Sequence, residues 1–313
     1  MPAVSFAFGT TFPRSLVMTD FVATLIARPE NDSDLDAAAT ACGKAIGVTR
    51  SDVLSAGEAI DLYFSSAEIV EVHRATLEVR VEGRPVDVVV QPVAERRKSL
   101  LVTDMDSTII GQECIDELAD FAGLKAQVAA ITDRAMRGEI EFEPALRQRV
   151  ALLAGLPETT IDEVIATRIT LNPGARTLVW TMRENGAHTI LVSGGFTAFA
   201  EKIAAMAGFN ESRANKLPVE DGKLTGRVSE PILGRSAKLA TLEDAIIRLQ
   251  VSAARTMAVG DGANDLAMIR RAGLGVAYHA KPKVAEAAAA RIDHTDLTAL
   301  LYAQGYKRHQ FVE

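Results

Sequence analysis

Three short apolar segments each run into a loop of acidic or small residues, and this repeated order constrains the fold more than any other feature. The segments are residues 100–102, 189–192 and 256–259. Beyond the first of them, apolar strands alternate with stretches of helical pattern. Strand, loop and helix in this order indicate a parallel α/β sheet. Because ligands of such sheets bind at the carboxyl ends of the strands, we expect the functional residues in these loops.

The length of the chain indicates two domains. At roughly 150 residues per domain, 313 residues correspond to about two. A charged stretch at residues 95–98 precedes the first apolar segment. We therefore predict an N-terminal domain at residues 1–95 and a second domain at residues 96–313.

The N-terminal domain is predicted to be a small α+β module. Strands are expected at residues 21–26, 61–64, 75–81 and 86–90, and a helix at residues 34–46. The last two strands are separated by Gly83-Arg84-Pro85, which has the chemistry of a turn. They are therefore predicted to form a hairpin.

The second domain is interrupted by a long helical segment. Residues 112–172 have helical periodicity and contain no convincing strand. They lie between the first apolar segment and the turn Asn172-Pro173-Gly174. We predict that they form a helical cap inserted over the edge of the sheet.

Charge and cysteine usage exclude several classes of protein. Lys+Arg 34 against Asp+Glu 41 gives a net charge of −7, which argues against nucleic-acid and anionic-membrane binders, because these rely on clustered basic residues. No apolar run approaches the ~20 residues that cross a bilayer, and residues 1–13, which contain no basic residue, are a poor signal peptide. The two cysteines, Cys42 and Cys114, exclude a disulfide scaffold. A cytoplasmic location is predicted.

Two carboxylates follow the first apolar segment directly. Asp104 and Asp106 are two positions apart in an extended stretch, so their side chains are expected to point the same way. Neighbouring carboxylates repel each other and need a cation, a shared proton or a division of roles. The alternative interpretation is an Asp-rich turn that caps the next helix.

A second acidic loop follows the third apolar segment. It reads Gly260-Asp261-Gly262-Ala263-Asn264-Asp265. Its glycines allow a tight turn, and its two carboxylates could complete an oxygen-rich site suited to Mg²⁺. A dinucleotide-binding fingerprint is the competing interpretation, and it fails because Asp265 stands where the third glycine should be.

The middle segment ends in a hydroxyl and two glycines. The amides of Ser193-Gly194-Gly195 could bind phosphate oxygens. A serine-hydrolase elbow is excluded because Leu191 replaces the first glycine of that motif. Lys238 lacks the glycine spacing of a Walker A loop, and taken alone it would be a solvated surface lysine.

Taken together and in this order, these elements resemble the four motifs of the haloacid dehalogenase superfamily of phosphotransferases. Residues 104–108 resemble the first motif, Ser193 the second, Lys238 the third and residues 260–265 the fourth. Segments 111–118, 143–150 and 223–226 further resemble the phosphoserine phosphatases within that superfamily. The resemblance covers residues 96 to 305.

The resemblance implies both a fold and a reaction. The fold is α/β, with a Rossmannoid parallel sheet core of the haloacid dehalogenase type and a helical cap insertion, preceded by a small α+β domain that is ACT-like. The reaction is Mg²⁺-dependent hydrolysis of O-phospho-L-serine to L-serine and phosphate, the last step of serine biosynthesis. The expected partner is this small substrate.

The resemblance also implies roles for the acidic residues. Asp104 is expected to attack phosphorus and form an aspartyl-phosphate, and Asp106 to act as the acid that protonates the leaving oxygen. Mg²⁺ is expected to be held by Asp104, Asp261 and the backbone carbonyl of Asp106. Asp265 is expected to support this metal shell through water or through Lys238.

Substrate contacts are implied in the same way. The phosphoryl oxygens are expected to be held by Ser193, Gly194, Lys238 and Asn264. Glu113 is expected to pair with the substrate ammonium group and Arg149 with its carboxylate. Met136 and Phe142 are expected to form an apolar lid.

Two alternatives remain open on the sequence. One is a phosphatase or phosphotransferase of the same superfamily that acts on another small phosphomonoester. The other is a regulatory amino-acid-binding protein with a vestigial catalytic half. For the N-terminal module, feedback binding of an amino acid and formation of a homodimer are both hypotheses.

Overall fold

The computed structural model describes residues 17–136 and 139–313. The N-terminal segment judged to be a poor signal peptide lies outside the described residues. The described chain forms a four-stranded antiparallel sheet followed by a six-stranded parallel sheet. No helix in the described ranges is long and apolar enough to cross a membrane.

The N-terminal module alternates strands and helices. Its elements are β1 (Thr19–Ala27), α1 (Asp32–Ile46), β2 (Arg50–Ser55), β3 (Ala59–Ser66), α2 (Val70–Val81) and β4 (Val86–Pro92). The strands pair antiparallel in the order β2-β3-β1-β4. This β-α-β-β-α-β order is the ferredoxin-like arrangement. The predicted α+β class is therefore confirmed.

One predicted strand of this module is wrong. Residues 75–81 belong to helix α2 and not to a strand, so Gly83-Arg84-Pro85 joins a helix to β4 and no hairpin forms. The helix buries His73, Leu77 and Val81, which are spaced by four residues, whereas Val79 is 68% exposed. The apolar alternation that suggested a strand therefore included an exposed valine.

The parallel α/β sheet is confirmed. Its strands are β5 (Leu100–Thr103), β6 (His188–Phe196), β7 (Glu211–Asn215), β10 (Thr256–Gly260), β11 (Leu274–Tyr278) and β12 (Ala290–Ile292). All of them pair parallel, in the order β12-β11-β10-β5-β6-β7. A small antiparallel pair, β8 (Val219–Glu220) and β9 (Lys223–Leu224), lies outside this sheet.

Helices flank the parallel sheet and cover its apolar faces. They are α7 (Ala175–Glu184), α8 (Thr197–Ala207), α9 (Arg235–Arg248), α10 (Leu266–Arg271), α11 (Pro282–Ala287) and α12 (Ala299–Ala303). Strand residues are buried on both sides of the sheet, as in β5, where Leu101 packs in one apolar cluster and Leu100 and Val102 in another. Burial on both faces is typical of a parallel sheet.

The segment predicted as a cap is helical where the structure describes it. It contains α3 (Cys114–Phe121), α4 (Lys125–Met136), α5 (Phe142–Leu152) and α6 (Thr159–Arg168). The two chain segments that connect it to the sheet run side by side, with an antiparallel bridge between Ile110 and Leu171. The side-chain amide of Gln112 holds these segments together, since its Nε2 donates to Oγ1 of Thr170 at 2.9 Å and its Oε1 accepts the backbone N–H of Thr170 at 3.0 Å.

The sheet of the N-terminal module is covered on both faces. One face packs against α1 and α2, where Leu35 and Leu77 lie in its apolar cluster. From the other face, Ile26 and Val89 join the main core of the parallel-sheet half. The module is therefore packed against the rest of the chain, and the boundary at residues 95 and 96 stays a prediction.

Candidate active site

The predicted functional residues converge at the carboxyl ends of three adjacent strands. Asp104 follows β5, Ser193 lies near the end of β6, and Asp261 follows β10. Since β10, β5 and β6 are neighbours and parallel, their ends meet at one edge of the sheet. The backbone N–H of Asp104 donates to the carbonyl oxygen of Val259 on β10 at 2.9 Å, which ties the first acidic loop to the second.

Lys238 lies between two buried carboxylates. Its Nζ is 2.6 Å from Oδ1 of Asp104 and 2.7 Å from Oδ1 of Asp265, and all three side chains are nearly inaccessible. Burial alone would lower the pKa of Lys238, but the charges of Asp104 and Asp265 raise it above its ordinary value. Lys238 therefore stays protonated and is not the surface lysine that its local sequence would suggest.

Asp265 is held by the loop that precedes it. Its Oδ2 accepts a hydrogen bond from the N–H of Gly262 at 3.0 Å, and its Oδ1 accepts one from Lys238. Burial, followed by the charge of Asp104, holds the pKa of Asp265 above its ordinary value. Gly260 has to be a glycine, because a Cβ there would lie 2.3 Å from Cγ of Asp265.

A cluster of carboxylates offers a site for a cation. One oxygen each from Asp104, Asp261 and Asp265 lie within 4.8 Å of one another. Burial, and then the charge of Asp104, raise the pKa of Asp261. Closely spaced, desolvated carboxylates of this kind suit a hard divalent ion such as Mg²⁺. Both oxygens of Asp265 already accept hydrogen bonds, from Lys238 and from the N–H of Gly262, which leaves Asp104 and Asp261 as the better placed pair.

The carboxylate of Asp106 is directed away from this cluster and towards the cap. Its Oδ1 accepts the N–H of Cys114 at 2.9 Å, and its Oδ2 accepts the hydroxyl of Ser193 at 3.3 Å. Burial, and then the charge of Asp104, raise the pKa of Asp106 to about 6. The two aspartates, expected to project together, therefore have separate partners.

The loop Ser193-Gly194-Gly195, called the glycine loop below, lies beside Asp106 and is held by hydrogen bonds. Ser193 Oγ accepts the N–H of Gly195 at 2.8 Å, and Gly194 O accepts Nδ2 of Asn215 at 2.9 Å. A Cβ on Gly195 would lie 3.0 Å from Ser193 Oγ and 3.4 Å from Oδ2 of Asp106. Asn215 is buried. The sequence did not indicate that it belongs to the site, because a single Asn at the end of a strand matches no functional motif.

These residues line one cavity of about 190 Å³ between the sheet and the cap. Its wall includes nearly all of the predicted site residues, namely Asp104, Asp106, Glu113, Phe142, Arg149, Ser193, Gly194, Asp261 and Asn264. Lys238 and Asp265 lie beneath Asp104 and are buried. Met136 ends helix α4, and its side chain lies outside the described part of the chain.

The cap contributes two opposite charges to the cavity. Glu113 Oε1 accepts the hydroxyl of Ser107 at 2.8 Å. Burial of its carboxyl group, and then the charge of Asp106, raise the pKa of Glu113 to about 7. Arg149 forms weak bonds to Ala145 O at 3.4 Å and Thr132 Oγ1 at 3.5 Å. Within the described ranges it has no ion pair, so its guanidinium is available to an anion.

Phe142 forms the apolar part of the cap wall. It is the first residue of α5 and is 37% exposed. A Cβ placed on Gly194 would lie 3.4 Å from its Cζ atom, so the ring reaches across to the glycine loop. The ring therefore lies where a lid residue is predicted.

This arrangement of sheet, cap and site corresponds to a known class. The chain belongs to the haloacid dehalogenase-like hydrolase family, whose model matches residues 101–270. It is 49% identical to the phosphoserine phosphatase of Polaromonas sp. over 207 residues, which are 64% of this chain and 88% of that protein. In several other curated relatives the match spans only 55% to 64% of their length.

Solved structures give the same class. A haloacid dehalogenase family hydrolase from Salmonella enterica serovar Typhi has a TM-score of 0.82 at 27% identity, with 91% of this chain and 98% of that chain covered. A phospho-aspartyl intermediate analogue of phosphoserine phosphatase has a TM-score of 0.61 at 40% identity, with 66% of this chain and 98% of that chain covered. The predicted superfamily and fold class are thus confirmed.

Proposed function

We propose that this chain hydrolyses O-phospho-L-serine to L-serine and phosphate through an aspartyl-phosphate on Asp104. The observation that carries the proposal is that Glu113 and Arg149, which have opposite charges, face the same cavity as Asp104. Phosphoserine carries an ammonium and a carboxylate group beside its phosphate. The similarity to proteins named phosphoserine phosphatase supports the same assignment.

Asp104 is the proposed nucleophile because of how its carboxylate is held. Its Oδ1 accepts a hydrogen bond from the N–H of Met105 at 2.8 Å and lies 2.6 Å from the ammonium nitrogen of Lys238. Among the described residues Oδ2 receives no hydrogen bond, so it is the oxygen free to attack phosphorus. Attack forms the Oδ2–P bond and breaks the bond between phosphorus and the serine oxygen, and water later cleaves the phosphoanhydride.

Asp106 is the proposed acid and base. With a pKa of about 6, it is protonated in part near neutral pH and can give its proton to the departing serine oxygen. Once ionised, it can take a proton from the water that attacks the aspartyl-phosphate. Its bonds to Cys114 and Ser193 hold the carboxyl group next to the glycine loop in both steps.

A divalent metal ion is the expected cofactor, and we propose Mg²⁺. Asp104, Asp261 and the backbone carbonyl of Asp106 would hold it, with Asp265 supporting the shell from its contact with Lys238. The clustered carboxylates fit such an ion, because burial and the charge of Asp104 raise the pKa of Asp261 and of Asp265. When bound, it would reduce the repulsion between the Asp104 carboxylate and the phosphate.

Selection of the substrate is assigned to the cap and the glycine loop. Glu113 would pair with the ammonium group and Arg149 with the carboxylate, while Phe142 and Met136 would exclude water. The phosphoryl oxygens would contact Ser193, Gly194, Asn264 and Lys238.

The cellular setting belongs to the same proposal. Cys42 and Cys114 are buried and unpaired, which supports a cytoplasmic location. The reaction would then be the last step of serine biosynthesis. An ACT-like regulatory role for the N-terminal module and a homodimer stay predictions.

Phosphate release from three substrates tests the proposal. Relative to phosphoserine, O-phosphoethanolamine lacks the carboxylate and 3-phosphooxypropanoate lacks the ammonium group, and each loss should lower kcat/KM about 10- to 100-fold. Equal rates for all three would remove the roles of Glu113 and Arg149 and favour another phosphomonoester.

A matched pair of variants tests the nucleophile. Asp104→Asn should reduce kcat by at least about 10³-fold, whereas Asp133→Asn, on an exposed position of α4, should not. Mass spectrometry of acid-quenched wild type should find the phosphate on residue 104. Normal turnover by Asp104→Asn would refute the mechanism.

A further inference from the structure

Lys281 lines the candidate active site, although no sequence pattern indicated it. It immediately precedes helix α11 and follows the turn after β11. Its backbone N–H donates to the carbonyl oxygen of Asp261 at 3.2 Å. Its side chain is exposed at the mouth of the cavity that Asp104 and Ser193 also line.

The turn that carries Lys281 is held at both ends. His279 has a left-handed backbone, with a φ of 42°, and its N–H donates to Ile292 O at 2.9 Å. Nε2 of His279 also lies 2.9 Å from Thr295 O. Since a non-glycine residue adopts this backbone conformation only where its surroundings hold it, the position of Lys281 is fixed by the fold.

The ammonium group of Lys281 is not engaged by the protein. Within residues 17–136 and 139–313 it has no ion pair or side-chain hydrogen bond, in contrast to Lys238, which contacts two carboxylates. Its charge nevertheless acts on the site, because it lowers the pKa of Asp261 against the opposing effect of burial. Lys281 and Arg149 are thus cations at the cavity wall whose charge is left for a ligand.

We propose that Lys281 binds the phosphate of the incoming substrate at the cavity mouth and raises the rate of its capture. This inference rests on the proposed function only in requiring a phosphomonoester substrate. A dianionic phosphate has to pass the carboxylates of Asp104, Asp106 and Asp261, and a cation at the entrance offsets their repulsion. A flexible ammonium is suited to this task because it attracts charge without demanding one geometry.

Charge removal at Lys281 gives the main test. Lys281→Gln should lower kcat/KM about three- to tenfold at low ionic strength, with kcat nearly unchanged, because a charge at the entrance acts on association. The difference from wild type should shrink as salt screens the interaction. Lys281→Arg should restore most of kcat/KM. Lys283→Gln, at an exposed position of α11 that does not line the cavity, should behave as wild type.

Calorimetry can measure how inorganic phosphate binds to the Mg²⁺-loaded full chain. This measurement tests the role of Lys281 whichever phosphomonoester is the substrate. Lys281→Gln should weaken phosphate binding by a similar factor even if phosphoserine is not hydrolysed. A rival explanation is that Lys281 only positions Asp261. In that case Lys281→Gln would weaken Mg²⁺ binding, and Lys281→Arg would not restore kcat/KM. Either result, or equal behaviour of Lys281→Gln and Lys283→Gln, would overturn the proposal.

Discussion

A buried ion pair between Asp61 and Arg96 is one of the contacts that attach the N-terminal module to the rest of the chain. Nη2 and Nη1 of Arg96 lie 2.6 and 2.7 Å from the two carboxylate oxygens of Asp61, and the two side chains are 9% and 0% exposed. The same guanidinium donates to the carbonyl oxygens of Ala303, at 2.7 Å, and Tyr302, at 3.0 Å. Arg96 therefore joins β3 of the module to helix α12.

Replacement of Asp61 by asparagine would leave the Arg96 guanidinium buried without a counter-charge. Removal of one partner from a buried ion pair costs about 3–5 kcal/mol of stability. The entropy of unfolding is about 2.1 cal/mol/K per residue. For 313 residues, each kcal/mol lost from the free energy of unfolding therefore lowers the Tm by about 1.5 °C. We expect Asp61→Asn to lower the Tm by about 5–8 °C.

Thermal unfolding followed by circular dichroism measures this change, and Asp52→Asn is the matched control. Asp52 also pairs across the same interface, with Lys307 at 2.9 Å, but these side chains are 33% and 41% exposed. A partly exposed pair is worth about 0–1 kcal/mol, so the Tm of Asp52→Asn should fall by less than about 2 °C. Equal small shifts for both variants would refute the reasoning.

Two further predictions concern the site. Because the pKa of Glu113 is raised to about 7 and only its ionised form pairs with an ammonium, while Asp106, with a pKa of about 6, has to be protonated, kcat/KM for phosphoserine should pass through a maximum between pH about 6 and 7. Glu113→Gln should remove the limb that rises with pH and lower kcat/KM about 10- to 100-fold; an unchanged pH profile in the variant would count against it. Chelation of divalent metal should abolish phosphate release, and Mg²⁺ at about 100 times its Kd should raise the free energy of unfolding by about 2.7 kcal/mol, or the Tm by about 4 °C, as scanning calorimetry would show; full activity in excess chelator would exclude a metal role.

The convergence at the sheet edge was predictable from sequence because its residues sit at the ends of strands with a strong apolar signal. Asp104, Ser193 and Asp261 each follow or end a buried segment, and parallel strands bring such ends together. The buried state of Lys238 was not predictable from its surroundings, since no acidic residue lies within four positions of it in the chain. Its two carboxylate partners come from other loops.

The elements that were missed have weak or misleading local signals. Strand β2 lies at the edge of its sheet and is largely exposed, so it lacks an apolar pattern, and β12 has only three residues. In α2 the exposed Val79 completes an alternation that imitates a strand, and only packing against the sheet selects the helix. Lys281 has no motif, because its place at the cavity depends on the turn around His279.

The packing of the N-terminal module decides how a regulatory role can be tested. Asp87 of β4 accepts backbone N–H groups of Asp293, His294 and Thr295 at 2.8 to 3.3 Å, and also the hydroxyl of Thr295. Deletion of the module would remove this acceptor and uncover apolar core, so a loss of activity in a truncated chain would report instability as readily as lost regulation. Substitutions on the outward faces of α1 and α2 leave these contacts in place. If added L-serine inhibits phosphate release, loss of this inhibition in such variants, at an unchanged Tm, would assign regulation to the module.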